Sequence, residues 1–279
     1  MTPSRLILGV RVDSTTYAAA TRQILDWAHT RQSRYVCCAS VNNIMEAHDS
    51  AQFRDVMNQA DLVTSDGMPL VWLLRLLGAR AATRVYGPDL TRHLLAAAAD
   101  AQIPVAFYGA SPQVLAQLLA RVEKNFPGIP IVYAESPPFR DPAPEEDAST
   151  VAALKKSGAR ILFVGLSTPA QDRWMHAHRG KIPCVMLGVG AAFDFLAGSK
   201  PQAPRWMQSS GLEWFFRLMT EPRRLAPRYL RHNPRFAFLA IAQLVSNLDG
   251  KRGHGTLQPP DNEDPGTYAD ARHRTSTTP

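Results

Sequence analysis

Residues 60–72 read ADLVTSDGMPLVW. A short β-branched run, Asp61–Thr64, leads into the polar turn Ser65-Asp66-Gly67, and a Leu- and Val-rich stretch, Met68–Leu77, follows with a Pro at its start. This strand, turn, helix unit recurs along the chain. Further candidate strands are Leu6–Val10, Tyr35–Ser40, Pro104–Tyr108, Pro130–Tyr133, Arg160–Val164 and Cys184–Leu187. Helical patterns lie between them at Thr15–His29, Pro88–Asp100, Ser111–Asn125, Glu145–Lys156 and Pro169–Arg179. Ser111-Pro112 reads as a cap followed by the first helical residue. Such alternation predicts an α/β fold, a Rossmann-like parallel sheet with helices on both faces.

The length of 279 residues suits one large α/β domain with an appendage. Three regions follow from composition. Residues 1–197 carry the alternation. Residues 198–249 lack strand runs and combine aromatic residues with seven Arg between Arg205 and Arg235; Pro204, Pro222, Pro227 and Pro234 predict that this basic appendage is cut into short helices. Residues 250–279 have almost no large apolar side chains and read as a disordered tail. The net charge of +7 is concentrated: residues 198–252 hold ten Lys and Arg against three Asp and Glu. A local excess of that size implies an acidic partner. Cys37, Cys38 and Cys184 sit in apolar runs without metal-ligand spacing and read as buried, reduced thiols. The N-terminus does not read as a signal peptide, and the apolar run Phe236–Val245 is about half a membrane span. The sequence therefore predicts a soluble or peripheral protein.

In open α/β sheets, ligands bind outside the carboxyl ends of the strands, where loops enter helix N-termini. Four junctions carry candidate residues. Ser40-Val41-Asn42-Asn43 places hydroxyl and amide groups at a strand end, which suits either a helix cap or a substrate contact. Asp66 is either an N-cap or a carboxylate placed to take a proton from an attacking hydroxyl. Gly109 permits close approach of a phosphate or ribose to a helix N-terminus, or simply makes a tight turn. The fourth junction is a pair of glycine turns, Gly165–Asp172 and Gly188–Asp194; the second has GxG without a third Gly, which argues against a dinucleotide fingerprint. No DxD pair occurs in the folded part, so no metal and no other cofactor is predicted, and a bound diphosphate is expected to be neutralised by Arg.

These pieces, in this order, resemble the WecG/TagA/CpsF glycosyltransferase family. The resemblance runs from about residue 6 to 240 and is carried by ADLVTSDGMPLVW with RVYGPDL, by LFVGLSTPAQDRW, by GVGAAFDFLAG with APRW, and by GLEWFFRLMTEPRRL. It implies an inverting, metal-independent transfer from a UDP-sugar to a polyprenyl-diphosphate-linked saccharide in exopolysaccharide or cell-wall polymer synthesis, at the cytoplasmic face of the membrane. By matching positions, it implies that Asp66 is the general base and that Ser40 and Asn42 lie near the acceptor or the donor's sugar. Arg84 and Gln171 help hold the donor, and Gly109, Gly188, Gly190 and Asp194 line the nucleotide pocket. Arg217, Arg224 and Arg228 close over the diphosphate. The chain departs from the family pattern at Ser40, where the family has Thr, and in Pro169-Ala170-Gln171-Asp172 and Gln202-Ala203-Pro204, which lose a Lys and an Arg. Two fewer cations leave an acidic donor such as a uronate with fewer partners.

The expected partners are thus a UDP-sugar, a polyprenyl-diphosphate-linked acceptor and an anionic membrane surface that meets Trp, Phe and Arg of the appendage. Nucleic acid is not expected, although Arg and aromatic residues interleave here, because a nucleic-acid-binding module leaves Asp66 and the glycine turns unexplained. A catalytically silent UDP-sugar-binding protein is the other alternative. A homo-oligomer built through the appendage is also compatible with the sequence.

Overall fold

A computed structural model describes residues 3–249; the 250–279 tail, read above as disordered, lies outside the described residues. In chain order the elements are β1 (Ser4–Ile7), β2 (Val10–Asp13), α1 (Tyr17–His29), β3 (Arg34–Ala39), α2 (Val41–Asp49), α3 (Ala51–Asn58), β4 (Leu62–Ser65), α4 (Met68–Leu76), α5 (Gly87–Asp100), β5 (Val105–Gly109) and α6 (Pro112–Asn125). They continue with β6 (Ile131–Glu135), α7 (Pro144–Ser157), β7 (Ile161–Gly165), α8 (Ala170–His178), β8 (Val185–Gly188), α9 (Ala192–Ala197), α10 (Arg205–Ser209), α11 (Glu213–Thr220) and α12 (Pro222–Asp249). Six strands form one parallel sheet in the order β4-β3-β8-β7-β5-β6. The last strand, β8, fills the centre between β3 and β7.

The strand sequences explain the two-sided burial. Along β3, Tyr35 and Cys37 face one apolar core and Val36 and Cys38 the other. Along β5, Ala106 and Tyr108 alternate with Val105 and Phe107 in the same way. Side chains of period two therefore bury both faces, as a parallel sheet covered by helices requires. Helices α2, α3, α4 and α8 contribute to the first core, and α1, α5, α6 and α9 to the second. All three cysteines are free and buried within these cores.

Two expectations are corrected. Leu6–Val10 is not a strand of the main sheet. Leu8 and Gly9 have φ of 48° and 85°, the backbone of a tight hairpin turn, so the segment divides into the antiparallel pair β1–β2. This hairpin is tied to the sheet edge by Asp13, whose carboxylate accepts from the Val63 amide at 2.8 Å. The second correction concerns the appendage, where Pro227 and Pro234 do not cut the chain: α12 runs through both for 28 residues. The two prolines lie seven residues apart, hence on one face, and both are exposed. The carbonyls they deprive of partners, at 223 and 230, belong to exposed residues and can bond water instead.

Helix α12 lies along α2 and reaches the hairpin. Phe236 and Ala240 enter the first core. Gln243 bonds the hairpin backbone twice, accepting from the Leu8 amide at 3.0 Å and donating to the Leu6 carbonyl at 2.7 Å. Arg235 forks onto Asp49 at 2.7 and 2.9 Å. That ion pair is solvated and adds little to stability, whereas burying a Phe contributes roughly 1.5–3 kcal/mol. Apolar docking at Phe236 therefore does more than charge to hold the appendage down.

Candidate active site

The carboxyl ends of β3 and β4 open into a cavity of about 640 Å³, roofed by α10, α11 and α12. Asp66 stands at its floor. Its amide continues the strand pairing by donating to the Ala39 carbonyl at 2.9 Å, which fixes the backbone at the strand end. Gly67, not Asp66, is the N-cap of α4, so the Asp66 side chain is free of the capping role. It accepts instead from the Gly87 amide at 3.4 Å. Burial pushes its carboxyl up to about 7, against the opposing pull of Arg84, while Glu213 pushes it further up and Gly87 and Arg217 pull it down. The carboxyl keeps an opening toward the cavity.

Sequence distance hides how the neighbours arrive. The segment after α4 returns alongside β4, with the Val85 amide donating to the Ser65 carbonyl at 2.9 Å. This lays the RVYG motif beside the SDG motif. Arg84 then donates to the Asp66 carbonyl at 2.5 Å, stacks on Tyr86 at 4.1 Å and pairs with Glu213 of α11. Arg84 thus joins the strand end that carries Asp66 to the appendage. Arg217 and Arg228 face the same cavity from α11 and α12. Burial holds the Arg228 guanidinium below its usual range, and the like charges of Arg217 and Arg224 push in the same direction. Crowded cations of this kind are relieved by an anion.

Ser40 and Asn42 also line the cavity. Ser40 opens α2 as its N-cap and also faces the cavity. Its amide and hydroxyl both donate to Asn43 Oδ1, at 3.1 and 2.8 Å. Asn43 Nδ2 donates in turn to Thr168 at 3.3 Å and to Asp172 at 3.4 Å. A chain of hydrogen bonds therefore runs from buried Asp172 to the hydroxyl on the cavity wall. Because the Ser40 proton is spent on Asn43, its oxygen is presented as an acceptor.

The other sequence-derived candidates lie outside this cavity lining. Gly109 (φ 133°) abuts Gly165 so closely that a Cβ would stand 2.5 Å from the Gly165 carbonyl carbon. A Cβ on Gly188 would meet Met175 at 2.7 Å and Gln171 at 3.1 Å. Gln171 is buried and accepts from the Gly190 amide at 3.0 Å, so it holds the glycine turn in shape. Asp194 accepts from Ser199 at 3.2 Å and lies 3.6 Å from Lys200, which also bonds Glu221 at 3.1 Å. Glu221 in turn binds Arg224, so Asp194 and Arg224 belong to one ion network that ties α9 to the start of α12.

The structure adds residues that sequence reading did not assign: Tyr86, Glu213, His232 and Asn233. Tyr86 lay within a motif already quoted, but its role needs the return of that segment along β4. His232 and Asn233 carry no local signal, because only the uninterrupted path of α12 brings them to the cavity. Among the described residues, nine buried side-chain polar atoms lack a hydrogen-bond partner, and five of them belong to this lining: Asn42 Oδ1, Tyr86 OH, Arg217 Nε, Arg228 Nε and His232 Nδ1. Buried polar groups are nearly always paired in a finished structure. Their concentration here marks a site shaped for a polar ligand.

A strand-end carboxylate with a pKa near neutrality, beside crowded guanidinium groups, suits proton abstraction from a hydroxyl with an anionic leaving group nearby. Comparison with known proteins identifies the family. The chain is similar to the N-acetylglucosaminyldiphosphoundecaprenol N-acetyl-beta-D-mannosaminyltransferase of Bacillus spizizenii, with 30% identity over 214 residues, covering 76% of this chain and 81% of the relative. Residues 5–250 match the model of the glycosyl transferase WecG/TagA/CpsF family. The chain belongs to that family and is a glycosyltransferase.

Proposed function

We propose that this enzyme moves a hexosyl or N-acetylhexosaminyl group from a UDP-sugar to a polyprenyl-diphosphate-linked saccharide, with inversion and without a metal ion. The observation that carries the reading is Asp66, raised to about 7 at the floor of a cavity whose cations are Arg84, Arg217 and Arg228. The acceptor hydroxyl gives its proton to the Asp66 carboxylate as its oxygen bonds to the anomeric carbon. The bond from that carbon to the donor's diphosphate breaks, and UDP leaves with the electron pair. A single displacement from the face opposite the leaving group inverts the anomeric centre. Arg217 and Arg228 stabilise the charge that develops on the diphosphate.

The acceptor class is supported by the relative's named substrate and by the shape of the appendage. Trp206, Phe215, Met219, Leu230 and Phe238 are all exposed there, among Arg205, Arg223 and Arg231. Among the described residues no helix is long and apolar enough to cross a membrane. Interfacial aromatic residues with interspersed Arg suit peripheral contact with the anionic cytoplasmic leaflet, at about 1 kcal/mol per basic residue near the surface.

Asp66→Asn tests the reading. General-base help amounts to about 10²–10⁴-fold in rate, so turnover should fall by at least about 100-fold while UDP still binds. Near-normal turnover would remove Asp66 from the chemistry. Chelation with EDTA should leave turnover unchanged, and a loss restored by added divalent cation would refute metal independence.

A further inference from the structure

The cavity is not uniform along its length. Its end at β4 is polar and cationic, built by Asp66, Arg84, Arg217 and Arg228. Moving away from Asp66, the lining becomes apolar on both sides. Helix α4 supplies Met68, Trp72 and Leu76, four residues apart and therefore on one face. Helix α12 supplies Phe236, Ala240 and Leu244 with the same spacing, flanked by Ala237 and Ile241. His232 and Asn233 stand at the boundary between the two halves. The α4 and α12 walls each span eight residue steps, about 12 Å.

We propose that this groove between α4 and α12 seats the first isoprene units of the acceptor's lipid chain, with the diphosphate held at the cationic end. The proposal deepens the function proposed above and rests on its acceptor class. Three observations favour one amphiphile over a protein partner. The apolar trough is continuous with the cavity that contains the base. The change from guanidinium to alkyl lining follows the order of a diphosphate joined to a hydrocarbon. On α12 the lining includes Ala237 and Ala240, whose small side chains take up little of the groove's width. Leu76 and Ile241 are 69% and 61% exposed at the groove, a large apolar surface left to water beside a catalytic carboxylate.

The test uses the full chain and two N-acetylglucosamine diphosphate acceptors, one with a short water-soluble alkyl chain and one with a long isoprenoid chain. Leu76→Gln and Ile241→Gln are made separately and together; both sites are exposed, so folding should survive, and a thermal melt checks it. The wild-type protein is expected to prefer the long chain in kcat/KM. Each single variant should lower the long-to-short ratio, and the double variant should lower it by about tenfold. An unchanged ratio in both single variants overturns the groove. So does a wild-type enzyme that transfers equally well to both chains. Sedimentation adds a further check: a wild-type dimer made monomeric by the double variant, with the ratio unchanged, makes the groove an interface between copies instead. Failure of the wild-type protein to use either acceptor, while it still binds UDP, overturns the acceptor reading and the groove with it.

Discussion

Asp66 and Asp172 are the two carboxylates held at the carboxyl edge of the sheet with raised pKa values, about 7 and about 6. Burial is the largest cause in both. Their surroundings differ in kind. Asp172 is fully enclosed, with Asn43 donating to it and Cys37 and Thr168 beside it pulling its pKa down. Asp66 opens to a cavity with a cation on one side and the appendage on the other. A raised pKa therefore does not by itself mark a base. What separates the two is access: Asp66 lines the cavity, whereas Asp172 is linked to it only through Asn43 and Ser40.

The largest expected effect breaks that symmetry directly. Asp66→Asn should cost at least about 100-fold in turnover. Asp172→Asn should cost less than about tenfold, because the amide oxygen can still accept from Asn43 and keep Ser40 turned. The small loss should fall on KM rather than kcat, as expected for a residue that positions a contact. Equal losses in the two variants would make access irrelevant and leave either carboxylate as the base. Within the cation set, Arg217→Ala is expected to lower kcat by about 10²-fold. Arg224→Ala should do much less, since that side chain is half exposed and already paired with Glu221.

The pH dependence sharpens the same contrast at a smaller amplitude. A general base must be ionised, so kcat/KM should rise with pH through about 7 and level off above it. Asp172→Asn should leave that rise in place. If the rise moves or vanishes in Asp172→Asn, then the titration belongs to the buried network and not to Asp66.

The sequence made the sheet legible because each strand is a short apolar run that stops at a polar or glycine turn. All six strands of the parallel sheet lie within a residue or two of the segments read from the sequence. The hairpin was missed because its turn residue Leu8 adopts a backbone conformation that Leu rarely signals. Helices α2 and α3 went unread between the strand ending near Ser40 and the next at Asp61; they are short, and their polar content hides the apolar face. At the site, Asp66, Ser40, Asn42, Arg84, Arg217 and Arg228 were legible as motif residues, and the structure brings them to one cavity. Gly109, Gly188 and Gln171 were read for the ligand, yet the contacts the structure shows for them are internal: close packing at the two glycines and a hydrogen bond from the Gly190 amide at Gln171. A glycine that admits a ligand and one that admits a neighbouring strand look alike in sequence. Tyr86, Glu213 and His232 were out of reach, since each depends on tertiary return of a segment or on a helix persisting through Pro227 and Pro234.

The smallest expected effect concerns stability and has a sign that separates a catalytic carboxylate from a structural one. A carboxyl whose folded-state pKa is raised makes a contribution that is fully present below its unfolded pKa and is lost as pH rises through the folded value. For Asp66 that window runs from about 3.8 to about 7. Above pH 7 the folded protein therefore carries an ionised group that burial disfavours. Asp66→Asn removes the charge and keeps the shape, so the variant should be more stable than the wild-type protein at pH 8, by something on the order of 1 kcal/mol. At pH 5 the gain should shrink, because the wild-type carboxyl is then largely neutral in the folded state. Urea unfolding at the two pH values measures both differences. A variant less stable at pH 8 would mean that the ionised carboxylate holds Arg84 and the appendage in place, and that its first duty is structural.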